Sequence, residues 1–416
     1  MKNSKLFLLI FTMCLTTGCN KTNTEVEETP EEITYTRHIP SSWKPEENGR
    51  MFDENPLEQW YNYCSSIFVE DDGYAYCYYC RNVSSGNPSA DRIWMRKGAK
   101  NKDDVWYWSE PMMMLDIRDV GWDKKGQCDP KVIKGEFHYN NAEYKYLMSY
   151  LGGAGDGDAN YGCTFGYAVS KSPEGPWIRV DEISPRIPFS EIYINPTSSS
   201  QLWGIGQPSM ISCDKKGKVL VFYTKHLGYQ IETGTDWTTI VERWDFSNLN
   251  NAKMEWSYML RGYGLERRTG GEDTITNADF MYDPNRSILY LVTDVHPFGI
   301  GYGLEGRDYP ENIPLLGRLS YADLNFEGDI LGDSIAKTNG VLHWIDIKQL
   351  SPLDDGFERH SNQGFYTDPY GWMLYKNKIE WSYTVSRTTE YNALSENWFT
   401  LRIHRYELDI SKGLGK

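Results

Sequence analysis

The sequence predicts an all-β fold, a five-bladed β-propeller with four antiparallel strands per blade, and three observations predict it. Five segments repeat one strand–turn–strand outline. No long amphipathic helical pattern interrupts them, which argues against a TIM barrel or a doubly wound sheet. Aromatic residues make up 14% of the chain, with 30 Tyr and 15 Trp, a composition that suits strands better than helices.

The first element in chain order is a targeting segment. Lys2 and Lys5 precede the apolar run LFLLIFTMCL, which is too short to span a bilayer and reads as the core of a signal peptide. The run ends in LTTGC, which resembles a bacterial lipobox with Cys19 as the lipidated residue, although Thr16 stands where Leu is usual. Ordinary secretion with cleavage elsewhere is the alternative. The acidic stretch NKTNTEVEETPEE, residues 20–32, reads as a flexible tether similar to those of bacterial surface lipoproteins. Residues 1–19 are thus expected to be signal peptide and lipobox, 20–32 tether, and 33–416 one propeller domain. The expected location is the bacterial cell envelope, lipid-anchored in the outer membrane and facing the periplasm or the cell surface.

The five repeats are YCSSIFVEDDGYAYCYY, CDPKVIKGEFHYNNAEYKYLMSY, GQPSMISCDKKGKVLVFYT, TNADFMYDPNRSILYLVTD and SNQGFYTDPYGWMLYKNKIEWSYTV. Each is a short strand, a turn rich in Asp, Gly, Asn or Pro, and a second strand dense in Tyr, Leu and Val. They recur at intervals of roughly 65–85 residues. Third strands are expected in DRIWMRKG, CTFGYAVSKSPEGPW, TTIVERWDFSNL, PLLGRLSYADL and FTLRIHRYELDI, and fourth strands in VWYWSEP, WIRVDEI, KMEWSYML and VLHWIDIK. The fifth unit runs out of chain after its third strand. Because a propeller must protect such an edge, the N-terminal strand at residues 33–38 is expected to close the last blade.

The first strand of each blade runs nearest the axis. Cys64, Asp129, Gln207, Asn277 and Asn362 occupy equivalent points and are expected to ring a central funnel. Side chains two apart on a strand share a face, so Ser66, Lys131, Ser209, Asp279 and Gly364 form a second ring. Polar groups at an axis imply a polar ligand or ordered water. Counting outward from the DDG turn sets Cys64 opposite Cys80, leaving a cross-strand disulfide or two buried thiols as alternatives. The Cys77–Cys80 spacing has no second pair and no suitable histidine, so no metal is expected from it.

CDPKV, AVSKSPEGPW and the GQPSM unit resemble the five-bladed propeller glycosidases, in particular glycoside hydrolase family 43 and its relatives. That resemblance implies three funnel acids: an aspartate base on the first blade, a tuning aspartate and a glutamate acid. Here the first-blade position falls on or beside Cys64 and the third-blade position is Gln207. The repeats put Asp129 and Asp279 on the axial face as base and partner carboxylate. Glu272, just before the fourth inner strand, is the candidate acid. Gln207, Asn277 and Asn362 are candidates for holding sugar hydroxyls, Trp203 for stacking on a sugar ring, and Arg359 and His360 for polar contacts, with Arg359 suited to a uronic-acid carboxylate. Trp177 and Trp372 are expected in the core. Asp156 and Asp158, in a glycine-rich loop, leave a structural calcium ion open without an EF-hand spacing to support it, so no cofactor is expected.

The net charge of −15 argues against a nucleic-acid partner, because phosphate binding needs a basic face. The expected partners are a carbohydrate and, through the lipid, a membrane, with the protein a monomer. The function expected is glycoside hydrolysis of a polysaccharide or oligosaccharide by carboxylate acid–base catalysis. The alternative is a non-catalytic glycan-binding lipoprotein on the same fold.

Overall fold

The computed structural model describes residues 37–51, 61–82, 91–116, 118–153, 163–188, 204–226, 238–268, 270–295, 316–324, 331–357, 359–386 and 402–414. Residues 1–35 and 36–416 are separate units, and the described residues all lie in the second. The signal peptide, Cys19 and the tether therefore lie outside the described residues.

The second unit is built almost wholly of strands. After β1 (Lys44–Pro45), a first antiparallel group contains β2 (Tyr61–Val69), β3 (Ala75–Asn82), β4 (Asp91–Lys100) and β5 (Trp106–Trp108), with β1 on the free edge of β5 and β6 (Met112–Met113) beside β4. The second group is β7 (Gly126–Tyr139), β8 (Ala142–Gly153), β9 (Cys163–Ser170) and β10 (Ile178–Arg179). The third is β11 (Gly204–Ser212), β12 (Lys218–His226), β13 (Thr238–Asp245) and β14 (Lys253–Leu260). The fourth is β15 (Asp279–Asp283), β16 (Ile288–Val295), β17 (Leu316–Asp323) and β18 (Ile345–Leu350). The fifth has β19 (Arg359–Thr367), β20 (Lys378–Ser386) and β21 (Arg402–Asp409). The described α-helices are short, Leu331–Lys337 and Pro352–Asp355.

Strands in the middle of the groups are buried on both faces and read as apolar runs with little alternation, β9 and β16 throughout, whereas the outer strands β14 and β18 are largely exposed. Phe68, Tyr78 and Ile93 of the first group pack on Val132, Met148 and Ala168 of the second, together with Trp177. Phe222 of the third stacks on Phe280 of the fourth with ring centroids 4.0 Å apart. Trp372 packs against the cluster between these two groups and donates its indole N–H to the Ser212 carbonyl at 2.7 Å. Fully burying side chains of this size contributes about 1.5–3 kcal/mol each.

Of the closing strand expected at residues 33–38, residues 33–36 lie outside the described residues, and 37 and 38 form no strand. Among the described residues the edge of β21 is met by residues 49–51: the Met51 N–H donates to the Ile403 carbonyl (3.1 Å), the Arg405 N–H donates to the Gly49 carbonyl (2.8 Å), and Arg50 bridges His404. The cause is a turn. Asn48 and Gly49 both have positive φ (52° and 79°), and Glu47 and Arg50 exchange both backbone hydrogen bonds across them. This is the two-residue hairpin geometry that Asn-Gly favours, and it swings the chain back onto the exposed edge.

Candidate active site

The five inner strands share one backbone irregularity. Cys64, Asp129, Gln207, Asn277 and Asn362 all adopt the left-handed region, with φ of 52°, 44°, 53°, 49° and 49°. In four of the five units, strand pairing skips at this residue: between Tyr63 and Ser66, Cys128 and Lys131, Gly206 and Ser209, and Ser361 and Gly364. In the fourth, Asn277 stands just before β15. A left-handed non-glycine residue costs about 1–2 kcal/mol, less for Asn and Asp. The bulge bends the strand and re-aims its side chain.

The N–H left over at such a bulge needs a partner, and the second strand of the preceding group provides it. Cys80 Sγ on β3 accepts from the Asp129 N–H (3.0 Å), Thr224 Oγ1 on β12 from the Asn277 N–H (3.0 Å), and Thr384 Oγ1 on β20 from the Cys64 N–H (3.4 Å). The last contact joins the fifth group to the first, as does the parallel pairing of Tyr366 and Thr367 with Ile67 and Phe68.

These five residues line one cavity, of about 40 Å³, with Ser66, Lys131 and Asp279 of the second ring below them. The two rings behave differently. Lys131 and Asp279 are buried and paired, with Lys131 Nζ 2.7 and 2.8 Å from the two Asp279 oxygens. Ser209 Oγ donates to the same carboxylate (2.6 Å), as does the Phe365 N–H (2.8 Å). The fifth member, Gly364, has no room for a side chain, since a Cβ there would meet the Ser65 carbonyl oxygen at 2.0 Å. The lower ring is a closed polar floor, and Asp279 within it is a fixed counter-ion rather than the free catalytic partner expected from the sequence.

Asp129, in the upper ring, is half-buried and has no ion pair among the described residues. Burial, aided by the negative charge of Asp91, pushes its carboxyl up to about 6, against the opposing effect of the Cys64 thiol and the Gln207 N–H that donate to it. Burial and the neighbouring Asp129 push the Cys64 thiol well above its ordinary range, which keeps it a neutral donor rather than a nucleophile. The amides form a chain: Asn362 Nδ2 donates to Asn277 Oδ1 (3.2 Å), and Asn277 Nδ2 donates to Asp294 Oδ2 (3.0 Å).

The remaining candidates lie elsewhere. Glu272 is exposed and absent from the cavity lining; its backbone carbonyl accepts from Arg267 Nε (2.6 Å). His360 is buried beside Asp355, with Nε2 3.0 and 3.1 Å from the two carboxylate oxygens, and neither it nor the buried Arg359 lines the cavity. Strand alternation accounts for this, since His360 is two residues from Asn362 only across a bulge that flips the facing. Trp203, Asp156 and Asp158 lie outside the described residues.

Cys80 bonds to Cys128, not to Cys64. The bulge is the reason: it moves the register by one, so that Tyr63, rather than Cys64, pairs with Cys80. Cys64, Cys80, Cys128 and Asp129 bring four potential metal-ligand atoms within 4.8 Å of one another. Two of the sulfurs are spent in the disulfide, so a cation at this point would have only the Cys64 thiol and the Asp129 carboxylate as free donors.

No family model matches the chain, and no curated protein does. Among solved structures it is similar to Zg3597, a family 117 glycoside hydrolase of the marine bacterium Zobellia galactanivorans, with 12% identity over 88% of this chain and 90% of that one at a TM-score of 0.50. An α-L-arabinofuranosidase from Lactobacillus brevis (10% identity, 86% and 94% coverage, TM-score 0.49) and an endo-arabinase from Bacteroides thetaiotaomicron (14%, 87% and 98%, 0.45) lie below 0.5, and nothing rests on them. At such identity the likeness is one of fold: this chain has a nearly all-β fold shared with a glycoside hydrolase.

Proposed function

We propose that the chain is a five-bladed propeller glycoside hydrolase, anchored to the bacterial outer membrane through Cys19, that acts on a polysaccharide or oligosaccharide in its axial funnel. The observation that carries the reading is Asp129. It is the one carboxyl of the described lining that is not locked in an ion pair, and it is held at about 6, where both protonation states are populated near neutral pH. A group so tuned suits general acid–base catalysis, here as the base that takes a proton from the attacking water. Gln207 and Asn362 then hold sugar hydroxyls from the same ring.

The test is a screen of the purified protein against plant and algal glycans for release of reducing ends. Asp129→Asn is expected to lower turnover by at least about 100-fold. Activity of the unaltered protein should rise with pH through about 6. Turnover unchanged by the substitution would remove Asp129 from the chemistry.

One observation favours a second reading, non-catalytic glycan binding: acid–base hydrolysis ordinarily uses two carboxyls, and in the described lining the second, Asp279, is engaged by Lys131, Ser209 and Phe365. Glycans retained by the protein with no reducing ends released would support that reading.

A further inference from the structure

We propose that Cys64, Cys80, Cys128 and Asp129 form a redox-gated site for a thiophilic metal ion of the zinc class: the chain holds one such ion when the Cys80–Cys128 disulfide is open and none when it is closed. The inference is independent of the carbohydrate reading.

The four donors stand together. The three Sγ atoms and an Asp129 oxygen all lie within 4.8 Å of one another. Asp129 Oδ1 is 3.2 Å from Cys128 Sγ and 4.0 Å from Cys80 Sγ. They come from three strands, β2, β3 and β7, which is why no sequence spacing shows them as a ligand set. Zinc takes four such donors in a tetrahedron with metal–sulfur bonds of roughly 2.3 Å, which sets the sulfurs about 3.8 Å apart. The Cα atoms of Cys80 and Cys128 are 5.1 Å apart, so turning the two side chains parts the freed sulfurs that far without moving either strand.

The backbone fixes the set. Cys64 and Asp129 both sit on the left-handed bulges of their strands, and both line the cavity, so an ion reaches them from the funnel. Cys80 and Cys128 are buried and complete the set from outside the lining. The Asp129 N–H donates to Cys80 Sγ at 3.0 Å, a bond that favours a charged sulfur there. Three sulfurs and one carboxylate select a thiophilic ion over calcium or magnesium, which take oxygen donors.

The gate is the disulfide. Closed, it removes two of the four donors, and the Cys64 thiol with Asp129 is too small a set for a four-coordinate ion. A dithiol opens it by exchange: one thiolate of the reductant bonds to a sulfur of the pair and releases the other, and its second thiolate displaces the first. The reductant leaves as a cyclic disulfide, having supplied two electrons and two protons. The ion then displaces the thiol protons, and any on Asp129, to water.

The test uses the full mature chain, reduced with a dithiol and freed of it without air, beside the untreated oxidised chain. Each is titrated with zinc by calorimetry and with cobalt(II), whose thiolate charge-transfer absorption reports sulfur ligation. The reduced chain is expected to bind one equivalent of either metal at least about 100-fold more tightly than the oxidised one. Zinc should also raise the melting temperature of the reduced chain by at least about 3 °C and leave that of the oxidised chain unchanged. Cys64→Ser, which keeps the disulfide pair and removes one sulfur donor, should weaken binding by the reduced chain at least about tenfold and diminish the absorption. If reduction loosens the fold, zinc should restore it. A reduced chain that neither binds zinc nor refolds with it overturns the proposal, as does an affinity that is the same in Cys64→Ser or in the oxidised chain.

Discussion

Asp129 and Asp279 stand in consecutive layers of the same funnel, on inner strands of the second and fourth groups, yet they have become different chemical objects. Asp279 receives an ammonium, a hydroxyl and a backbone N–H, all within 2.6–2.8 Å, at a buried site. Asp129 receives a thiol and one backbone N–H beside another carboxylate, and its proton is held up to about 6. The backbone makes the distinction. Asp129 sits on a left-handed bulge that tips it toward the opening, whereas Asp279 belongs to a regular stretch of β15 paired with Val292. A funnel of this design separates a floor that holds the groups together from a rim that is free to act.

The largest effect should come from breaking the floor. Asp279→Ala leaves Lys131 buried without its counter-ion and is expected to cost about 3–5 kcal/mol in urea denaturation. The double change Lys131→Met, Asp279→Leu should recover most of that loss, because the expense lies in the orphaned charge. A double variant as unstable as the single one would mean that the pair matters through its shape.

The rim has its own brace, the Cys80–Cys128 disulfide, which ties β3 to β7 across 48 residues beside Asp129. Cys80→Ser is expected to cost about 2–4 kcal/mol by thermal or urea melting. Because Cys80 Sγ also accepts the Asp129 N–H, that variant should disturb the pH dependence of activity as well as stability.

Asp129→Asn sharpens the contrast because its expected sign is opposite. Folding raises this carboxyl from 3.8 to about 6, so the folded protein holds the proton more tightly than the unfolded chain. Stability from this group is complete below about pH 4 and is lost as pH rises toward 6. Removing the carboxylate should therefore stabilise the protein by up to about 3 kcal/mol at pH 8 and leave it unchanged at pH 3, in the same melts. Stability exchanged for a poised acid is what a functional rim predicts.

The smallest effect belongs to Glu272, exposed and away from the lining. Glu272→Gln should alter stability by less than about 0.5 kcal/mol and leave glycan turnover unchanged. A large loss of turnover would restore it as the acid.

How much of this was legible in the sequence depends on the kind of signal. The equivalence of Gln207, Asn277 and Asn362 could be read because each stands at a similar distance before a turn, and that of Asp129 from the apolar run that follows it, although β7 continues to Tyr139 before turning. Asn and Asp, at three of the four, are residues that tolerate positive φ. The pairing of Cys80 could not be read by counting from the DDG turn, because counting assumes an unbroken ladder and the bulge at Cys64 moves it by one residue. Lys131 and Asp279 were placed in one ring by alternation alone. That alternation says nothing of which members reach across, so Asp279 looked as available as Asp129. The segment that meets β21 is signalled by Asn48-Gly49, a strong local hairpin dipeptide in a stretch too short to show strand alternation. Asp294, at the end of the fourth repeat on β16, and Asp91, at the start of β4, lie off the inner strands, so alternation along those strands does not point to them.

The most direct test is a carbon-13 titration of the aspartate carboxyls in the intact protein and in Asp129→Asn. One carboxyl should titrate at about 6 in the former and be missing from the latter, with the rest of the spectrum retained. A titration near 6 that survives the substitution, or no such titration in either protein, would contradict the assignment of Asp129 as the free carboxyl at the rim.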